Sequence, residues 1–133
     1  MATYYGPVHT AGNAVPPLDD DLAGVLDDLA GIHPGIDAIR SGIRLLALDR
    51  HDLDKTQTLL AALAGSSDGT DVLAALAHLI ARLATADTSP CLRTLPLDRQ
   101  KRAQQYGEIA QFDLTDPELH QSVSEASAAI SSY

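Results

Sequence analysis

The chain has 133 residues and a mass of 14.0 kDa, which fits one domain with a tail better than two domains. Hydrophobic residues make up 45% and charged residues 20%, close to the globular average, so we expect a folded chain. The formal net charge of -9 argues against non-specific binding to nucleic acid or to an anionic membrane. The single Cys91 excludes an intramolecular disulfide framework and fits a reducing compartment.

The first residues of the chain lack the basic and apolar regions of a signal peptide. No window approaches the roughly 18 uninterrupted apolar residues that a membrane-spanning helix needs. We therefore expect no membrane partner, and a cytoplasmic protein or, for a phage component, a virion protein. Aspartate outnumbers glutamate fifteen to three and arginine outnumbers lysine seven to two, a bias that indicates a GC-rich bacterial genome or its phages.

Residues 1–17 form a segment without helical or strand periodicity, and Pro16 and Pro17 close it. The ordinary behaviour of chain termini predicts a flexible arm here. A second interpretation is that the arm lies on a partner, because Tyr4 and Tyr5 have no core of their own to fill. We therefore predict an extended N-terminal arm, with both tyrosines as candidate partner contacts.

Two helices are predicted directly after the arm, because apolar residues recur every three or four positions. Asp19, Asp20 and Asp21 fall in the first turn, where carboxylates interact favourably with the helix dipole. In the second helix, Arg40 and Arg44 are predicted to lie on the solvated side. The apolar faces consist of Leu18, Leu22, Val25, Leu29 and Ile32 in the first helix, and of Ile36, Ile39, Ile43 and Leu46 in the second.

A second pair of helices is predicted to follow, with Asp52 and Thr70 as N-caps and Gly65 ending the earlier one. The later helix is the most apolar of the chain, and we predict that its stripe is the centre of the core. That stripe comprises Val72, Leu73, Leu76, Leu79, Ile80 and Leu83, while Asp71, His78 and Arg82 mark the solvated side.

The sequence signals for the last two helices differ in strength: they are weak for the fifth helix and clear for the sixth. Pro96 is predicted to open a fifth helix that runs to about Ala110 and has a poor apolar face. Thr115 with Glu118 forms a capping box for the sixth helix, and Pro117 is tolerated in its first turn.

No convincing strand alternation appears, so the sequence predicts an all-α fold. We expect a compact bundle of about six short helices, arranged as helical hairpins, behind the extended arm. The predicted domains are the arm over residues 1–17 and one helical domain over 18–133. That domain has a four-helix core at about 18–86 and two C-terminal helices at about 96–131, since forty residues are few for a separate core.

The stretch DRHDLD, from residue 49, looks most like a catalytic motif. Its pair His51 and Asp52 resembles the metal-dependent HD phosphohydrolases, and that resemblance implies His33 and either Asp71 or Asp87 as further metal ligands. The intervals are short for that family, the chain is small for its fold, and no basic cluster adjoins the pair. Since a helix N-cap explains Asp52 completely, we expect a capped turn here and no metal or other cofactor.

Other chemistry-bearing residues form no constellation. The five histidines are dispersed without the HxxxH or HxH spacing of metal ligands, so we predict them to be surface or boundary residues, with His78 nearest an apolar stripe. Cys91 has no neighbouring base to activate it, and the loop from Gly65 to Thr70 lacks the lysine of a phosphate-binding loop. We therefore expect a protein that is not an enzyme.

This acidic chain contains one cluster of basic residues, and Asp98 is the one acidic residue among them. It consists of Arg93, Arg99, Lys101 and Arg102. A solvated helix face is the plain interpretation. The alternative is a contact surface for an acidic partner or a second copy, because acidic residues on the first helix allow head-to-tail assembly. Those residues are Asp19, Asp20, Asp21, Asp27 and Asp28. Tyr106, the one aromatic residue beside the cluster, is a further candidate partner contact. The lack of other interleaved aromatic residues argues against nucleic-acid binding.

Three functional hypotheses follow. The first is a non-enzymatic helical interaction protein, a subunit or adaptor of a larger assembly; its size and composition fit a phage structural protein or a mobile-element accessory protein. The second is an acidic regulator or inhibitor that occupies a basic surface of a partner. The third, least favoured, is the metal-dependent hydrolase of the HD type. The expected partner is another protein or a second copy of the chain.

Overall fold

The computed structural model describes residues 14–66 and 69–130, and every regular element within them is helical. That part of the chain contains six α-helices, one π-helical turn and one 3-10 turn. The α-helices are α1 (Asp20–Asp28), α2 (Pro34–Leu48), α3 (Leu53–Leu60), α4 (Val72–Leu83), α5 (Leu97–Leu114) and α6 (Pro117–Ile130). The π-turn covers Ala61–Gly65 and the 3-10 turn covers Pro90–Thr94. The predicted all-α class is confirmed over these residues.

The chain divides into two compact units, Met1–His51 and Asp52–Tyr133. We call them the N-terminal unit, described over residues 14–51, and the C-terminal unit, described over 52–66 and 69–130. Most of the predicted arm, residues 1–13, lies outside the described residues, while 14–17 are exposed and without regular structure. The single domain predicted over 18–133 stays a prediction.

In the N-terminal unit, local hydrogen bonds define the helix ends. Asp19 caps α1, because its carboxylate accepts the N–H of Leu22 at 3.1 Å. His33 caps α2, because its Nδ1 accepts the N–H of Gly35 at 2.8 Å. The predicted first-turn position is confirmed for Asp20 and Asp21, whereas Asp19 is the cap itself. Pro34 occupies the first position of α2, where its missing N–H costs nothing.

Two predictions about side-chain placement in this unit are wrong. Leu26, outside the predicted apolar face, is the buried one at 1% exposure, whereas Val25 and Ile32 are 57% and 64% exposed. Arg40 was predicted on the solvated side, but its Nε donates to the carbonyl of Leu26 in the last turn of α1. The reason is that the final carbonyls of a helix have no partner within it, and a long cationic side chain can supply the missing donor.

In the C-terminal unit, α4 packs on α5 through small residues. Ala74 and Ala77 are buried at 3% and 0% exposure. Further along the interface Gly107 of α5 lies so close to α4 that a methyl group added to it would stand 2.7 Å from Cβ of Ala84. Only a glycine permits this approach. The helices run antiparallel, because Gln111 reaches back to His78 with a 2.8 Å hydrogen bond.

The predicted core stripe of α4 is consequently wrong. Val72, Leu79 and Leu83 are 48%, 43% and 60% exposed, and the alanines on the opposite side of the helix are buried instead. Alanine and glycine allow the two backbones to approach closely, which larger side chains would prevent. The helix thus carries apolar residues on two opposite sides, and the smaller ones form the contact.

α3 and the π-turn pack against α6. Asp52 caps α3 as predicted, accepting the N–H of Lys55 at 2.7 Å. Ser124 donates to the carbonyl of Gly65, and Ser127 donates to the carbonyl of Gln57 at 3.0 Å. Ser127 thereby adds a second donor to a carbonyl that already accepts the N–H of Ala61, and the two serines tie α6 to the end of α3 and to the π-turn.

The capping of the last helix also differs from the prediction. Asp116, and not Thr115, precedes α6, and its carboxylate accepts the N–H of Glu118 at 3.0 Å. Thr115 instead donates to the carbonyl of Gln111 at 2.8 Å at the end of α5. The capping box is therefore wrong, since a better acceptor lies one residue later, while Pro117 in the first turn is confirmed.

Candidate functional site

The most enclosed polar group of the described residues is an ion pair between α4 and α6. Nδ1 of His120 lies 2.8 Å from Oδ2 of Asp71, and the aspartate side chain is 0% exposed. The other ring nitrogen, Nε2, lies 2.8 Å from the carbonyl oxygen of Leu114 at the end of α5. The carboxylate and the carbonyl both offer acceptor oxygens, so this geometry favours a proton on each ring nitrogen.

The aspartate of this pair has structural duties as well. Asp71 is the N-cap of α4: its Oδ1 accepts the N–H of Ala74 at 2.8 Å, and its Oδ2 accepts the N–H of Ser66 at 3.2 Å. The prediction of Thr70 as the cap and Asp71 as a solvated residue is therefore wrong. The physical reason is that Asp71 points inward, where its carboxylate satisfies two backbone donors and one charged ring.

These partners act on the acidity of the imidazolium. The pKa of His120 is raised above its usual value, chiefly by the carbonyl of Leu114. Burial opposes this by disfavouring the charged ring, while the hydrogen bond and the negative charge of Asp71, and then the carbonyl of Ala64, raise the pKa again. The arrangement therefore favours the protonated ring.

A cavity of about 340 Å³ adjoins the pair. Polar groups of Ser66, Thr115, Gln121 and Ser124 line it beside the His120 ring. Among the described residues, however, no buried side-chain nitrogen or oxygen lacks a hydrogen-bond partner. The described residues also contain no group of three or more His, Cys, Asp or Glu side chains placed to hold a metal ion.

Sequence reasoning missed this pair. It placed all histidines at the surface or boundary and singled out His78, which is exposed. His120 is 8% exposed and reaches a residue 49 positions earlier in the chain. No local spacing signals such a contact. The sequence did offer one sign of an inward-pointing Asp71: aspartate is as good an N-cap as the threonine before it, so Asp71 could have been predicted as the cap of α4.

A second candidate surface is the exposed side of α4. We define the α4 seam as Val72, Leu76, Leu79 and Leu83, whose spacings of four, three and four place them on one helix face. Leu76 is half-buried, and the other three are exposed. Spacings of this kind are those of the contact positions of a coiled coil.

The predicted basic cluster is brought together only in part. Arg93 lies in the 3-10 turn, where its guanidinium donates to the carbonyls of Ala86 and Asp87, each at 3.0 Å, and so holds the preceding loop. Arg99 and Arg102 share one face of α5 with Tyr106, which is 63% exposed, because the three are spaced by three and four residues. Lys101 is exposed on another side of the helix.

The acidic residues predicted as partner contacts lie at the start of α1. Asp20 and Asp21 are exposed in its first turn, whereas Asp19 serves as the cap. Asp27 lies 4.0 Å from Arg44 in an exposed ion pair, which contributes little to stability. Tyr4 and Tyr5 fall outside the described residues.

The histidine–aspartate pair of the HD-like stretch has ordinary structural roles. His51 bonds through Nε2 to the carbonyl of Leu46 at 2.9 Å, and Asp52 caps α3. His33 caps α2, and Asp71 is engaged by His120. Cys91 is a free, exposed thiol in the 3-10 turn.

Among known proteins, no family model, no curated protein and no solved structure matches this chain. Within the described residues, no helix is both long and apolar enough to cross a membrane. The function must therefore be inferred from the residues of this chain.

Proposed function

We propose that this chain is a non-enzymatic helical subunit of a protein assembly, and that the α4 seam is its docking surface. The observation that supports this is the exposure of Val72, Leu79 and Leu83, at 48%, 43% and 60%, on a helix whose opposite side buries Ala74 and Ala77. Single exposed apolar residues are common on protein surfaces, but an aligned row over the whole length of a helix is typical of an interface.

We assign a second copy of the same chain as the occupant of the seam. Spacings of four, three and four read the same in both directions, so the seam is complementary to itself when two copies run antiparallel about a two-fold axis. Val72 then faces Leu83 of the partner subunit, and Leu76 faces Leu79 of the partner subunit. Every layer of such an interface is aliphatic.

Charge favours the same arrangement. Arg82 is the one formally charged side chain on α4 itself. In the antiparallel pair, the two copies of this arginine lie near opposite ends of the interface, where they do not repel each other strongly. The two helix dipoles also oppose each other.

The expected affinity is modest. Completing the burial of a half-exposed aliphatic side chain contributes about 1 kcal/mol, so the eight side chains of the pair contribute about 8 kcal/mol. The cost of bringing two molecules together is about 4–15 kcal/mol. The seam alone therefore supports at best a weak dimer, with a dissociation constant of about 1 mM.

The test is sedimentation or light scattering over a hundredfold concentration range that reaches about 1 mM, with Leu83→Lys as the variant. Leu83 is exposed, and a lysine at the last position of α4 is favourable to the helix dipole, so the fold should be kept. The matched control is Leu45→Lys, because Leu45 is 69% exposed in the last turn of α2. We expect the wild type and the control to associate with rising concentration and the Leu83→Lys chain to stay monomeric.

A wild-type chain that stays monomeric at every concentration would reject the second copy as occupant. Equal association of both lysine variants would show that self-association uses another surface.

A second candidate function, the acidic regulator, is favoured by the exposure of the aspartates of α1. Asp20, Asp21 and Asp28 can be changed to Asn without touching the cap at Asp19 or the ion pair of Asp27. The matched control changes three exposed aspartates of the C-terminal unit: Asp54, Asp98 and Asp113. If the acidic face of α1 is the binding surface, salt-dependent binding to polylysine should weaken more in the first variant than in the control. Equal weakening would mean that only net charge matters.

A further inference from the structure

His120 joins three structural elements of the C-terminal unit through one ring. It lies in the first turns of α6, its Nδ1 donates to Asp71 at the start of α4, and its Nε2 donates to Leu114 at the end of α5. Because Asp71 also accepts the N–H of Ser66, the segment after the π-turn belongs to the same network. Loss of either ring proton would place a lone pair against an acceptor.

We propose that the His120–Asp71 pair is a proton-dependent clamp, so that the C-terminal unit is held together when the ring is charged and loosens as the pH rises. The inference does not depend on the self-association proposed above. It concerns the folding of one unit in a single chain.

Among the described residues, one formal charge faces the ring. From α4 the facing group is the carboxylate of Asp71, from α5 it is the neutral carbonyl of Leu114, and from the π-turn it is the neutral carbonyl of Ala64. The carboxylates nearest in sequence make no hydrogen bond to the ring and are exposed or half-exposed. They are Asp113, Asp116 and Glu118.

The direction of the pH dependence follows from the raised pKa of the folded ring. Below the ordinary value of 6.5, both the folded and the unfolded chain hold this proton, and the stabilisation is fully present. Above 6.5, only the folded chain holds it, and stability falls until the pH passes the pKa of the folded ring. One proton linked in this way lowers the folding equilibrium constant by up to about tenfold per pH unit.

The first experiment is guanidinium unfolding of the full chain at one low protein concentration, between pH 5.5 and 8.5, with amide exchange to assign the loss to a unit. We compare the wild type with His120→Gln, and use His78→Gln as the matched control, because His78 is exposed on α4. We expect stability of the C-terminal unit to fall with pH in the wild type and in the control, and the fall to vanish in His120→Gln. Equal pH dependence in all three chains would overturn the clamp.

A second measurement protects the test in case His120→Gln fails to fold. Ring nitrogen and proton resonances of His120 in the folded wild type report its charge directly. We expect both nitrogens to be protonated at neutral pH, and the titration midpoint to drop in Asp71→Asn, which keeps the cap but removes the charge. A midpoint at or below 6.5 in the wild type, or one that Asp71→Asn leaves unchanged, would reject the proposal.

Discussion

The two units use a histidine in opposite ways at the start of a helix. In the N-terminal unit, His33 is exposed, and its Nδ1 accepts the N–H of Gly35, so this nitrogen carries no proton. In the C-terminal unit, His120 is buried, and both of its nitrogens donate. The same side chain therefore caps a helix as an acceptor in one unit and links three elements through its two ring nitrogens in the other.

The difference extends to what each unit buries. The described part of the N-terminal unit has one buried apolar residue, Leu26, and depends on hydrogen bonds close in sequence. The C-terminal unit buries Ala74, Ala77 and an ion pair between residues 49 positions apart. Interactions between distant residues form and break together, so we expect the C-terminal unit to unfold more cooperatively.

The largest expected difference in stability is between two aspartates that cap helices of the C-terminal unit. Asp71→Ala removes a cap and leaves the buried, charged His120 without its partner, so we expect a loss of about 3–5 kcal/mol in the free energy of unfolding. Asp52→Ala removes only an exposed cap of α3, so we expect a loss of about 1 kcal/mol in the free energy of unfolding. Guanidinium unfolding of both variants checks this. Equal losses would show that Asp71 acts as a cap alone.

Two glycines give a second contrast. Gly107→Ala places a methyl group 2.7 Å from Cβ of Ala84, so the α4–α5 contact must open, and we expect a net loss of about 1–2 kcal/mol despite the better helix propensity of alanine. Gly24→Ala in α1 meets nothing within 4 Å, and should stabilise the N-terminal unit by about 0.5–1 kcal/mol. Thermal unfolding with amide exchange separates the two effects, and a stabilised Gly107→Ala chain would contradict the close packing.

The smallest expected effect concerns two arginines of α2. Arg40→Gln loses the bond to the carbonyl of Leu26 and the contact with Asp37 at 3.3 Å, which we expect to cost about 1 kcal/mol. Arg44→Gln loses only the exposed pair with Asp27, and should change stability by less than about 0.5 kcal/mol. Amide exchange in α1 and α2 is the measurement, and identical exchange in both variants would refute the role given to Arg40.

The helices and the cap at Asp52 could be predicted from the sequence because they depend on neighbours three or four residues away. Asp52 accepts the N–H of Lys55, three residues later, and the prediction of this cap holds. The buried face of α4 could not be predicted. An alanine row and a leucine row lie on opposite sides of that helix with the same period, and periodicity does not rank them.

The choice between the two rows depends on another helix. Gly107 of α5 has no side chain and lets the alanine row of α4 approach closely. No pattern within α4 contains that information. The pairing of Asp71 with His120 was out of reach for the same reason, since the two residues are 49 positions apart. The candidate site was therefore missed where it depends on tertiary structure.

The π-turn at Ala61–Gly65 has one more consequence. A π-turn holds an extra residue over the rise of an ordinary helical turn, so the backbone is wider there than in an α-helix. Deleting one residue there would remove the wide turn and restore a regular helix. The carbonyl of Gly65 would then be drawn back from Ser124, and α6 would lose one of its two serine contacts. Chain length in this turn is thus coupled to the serine of a distant helix.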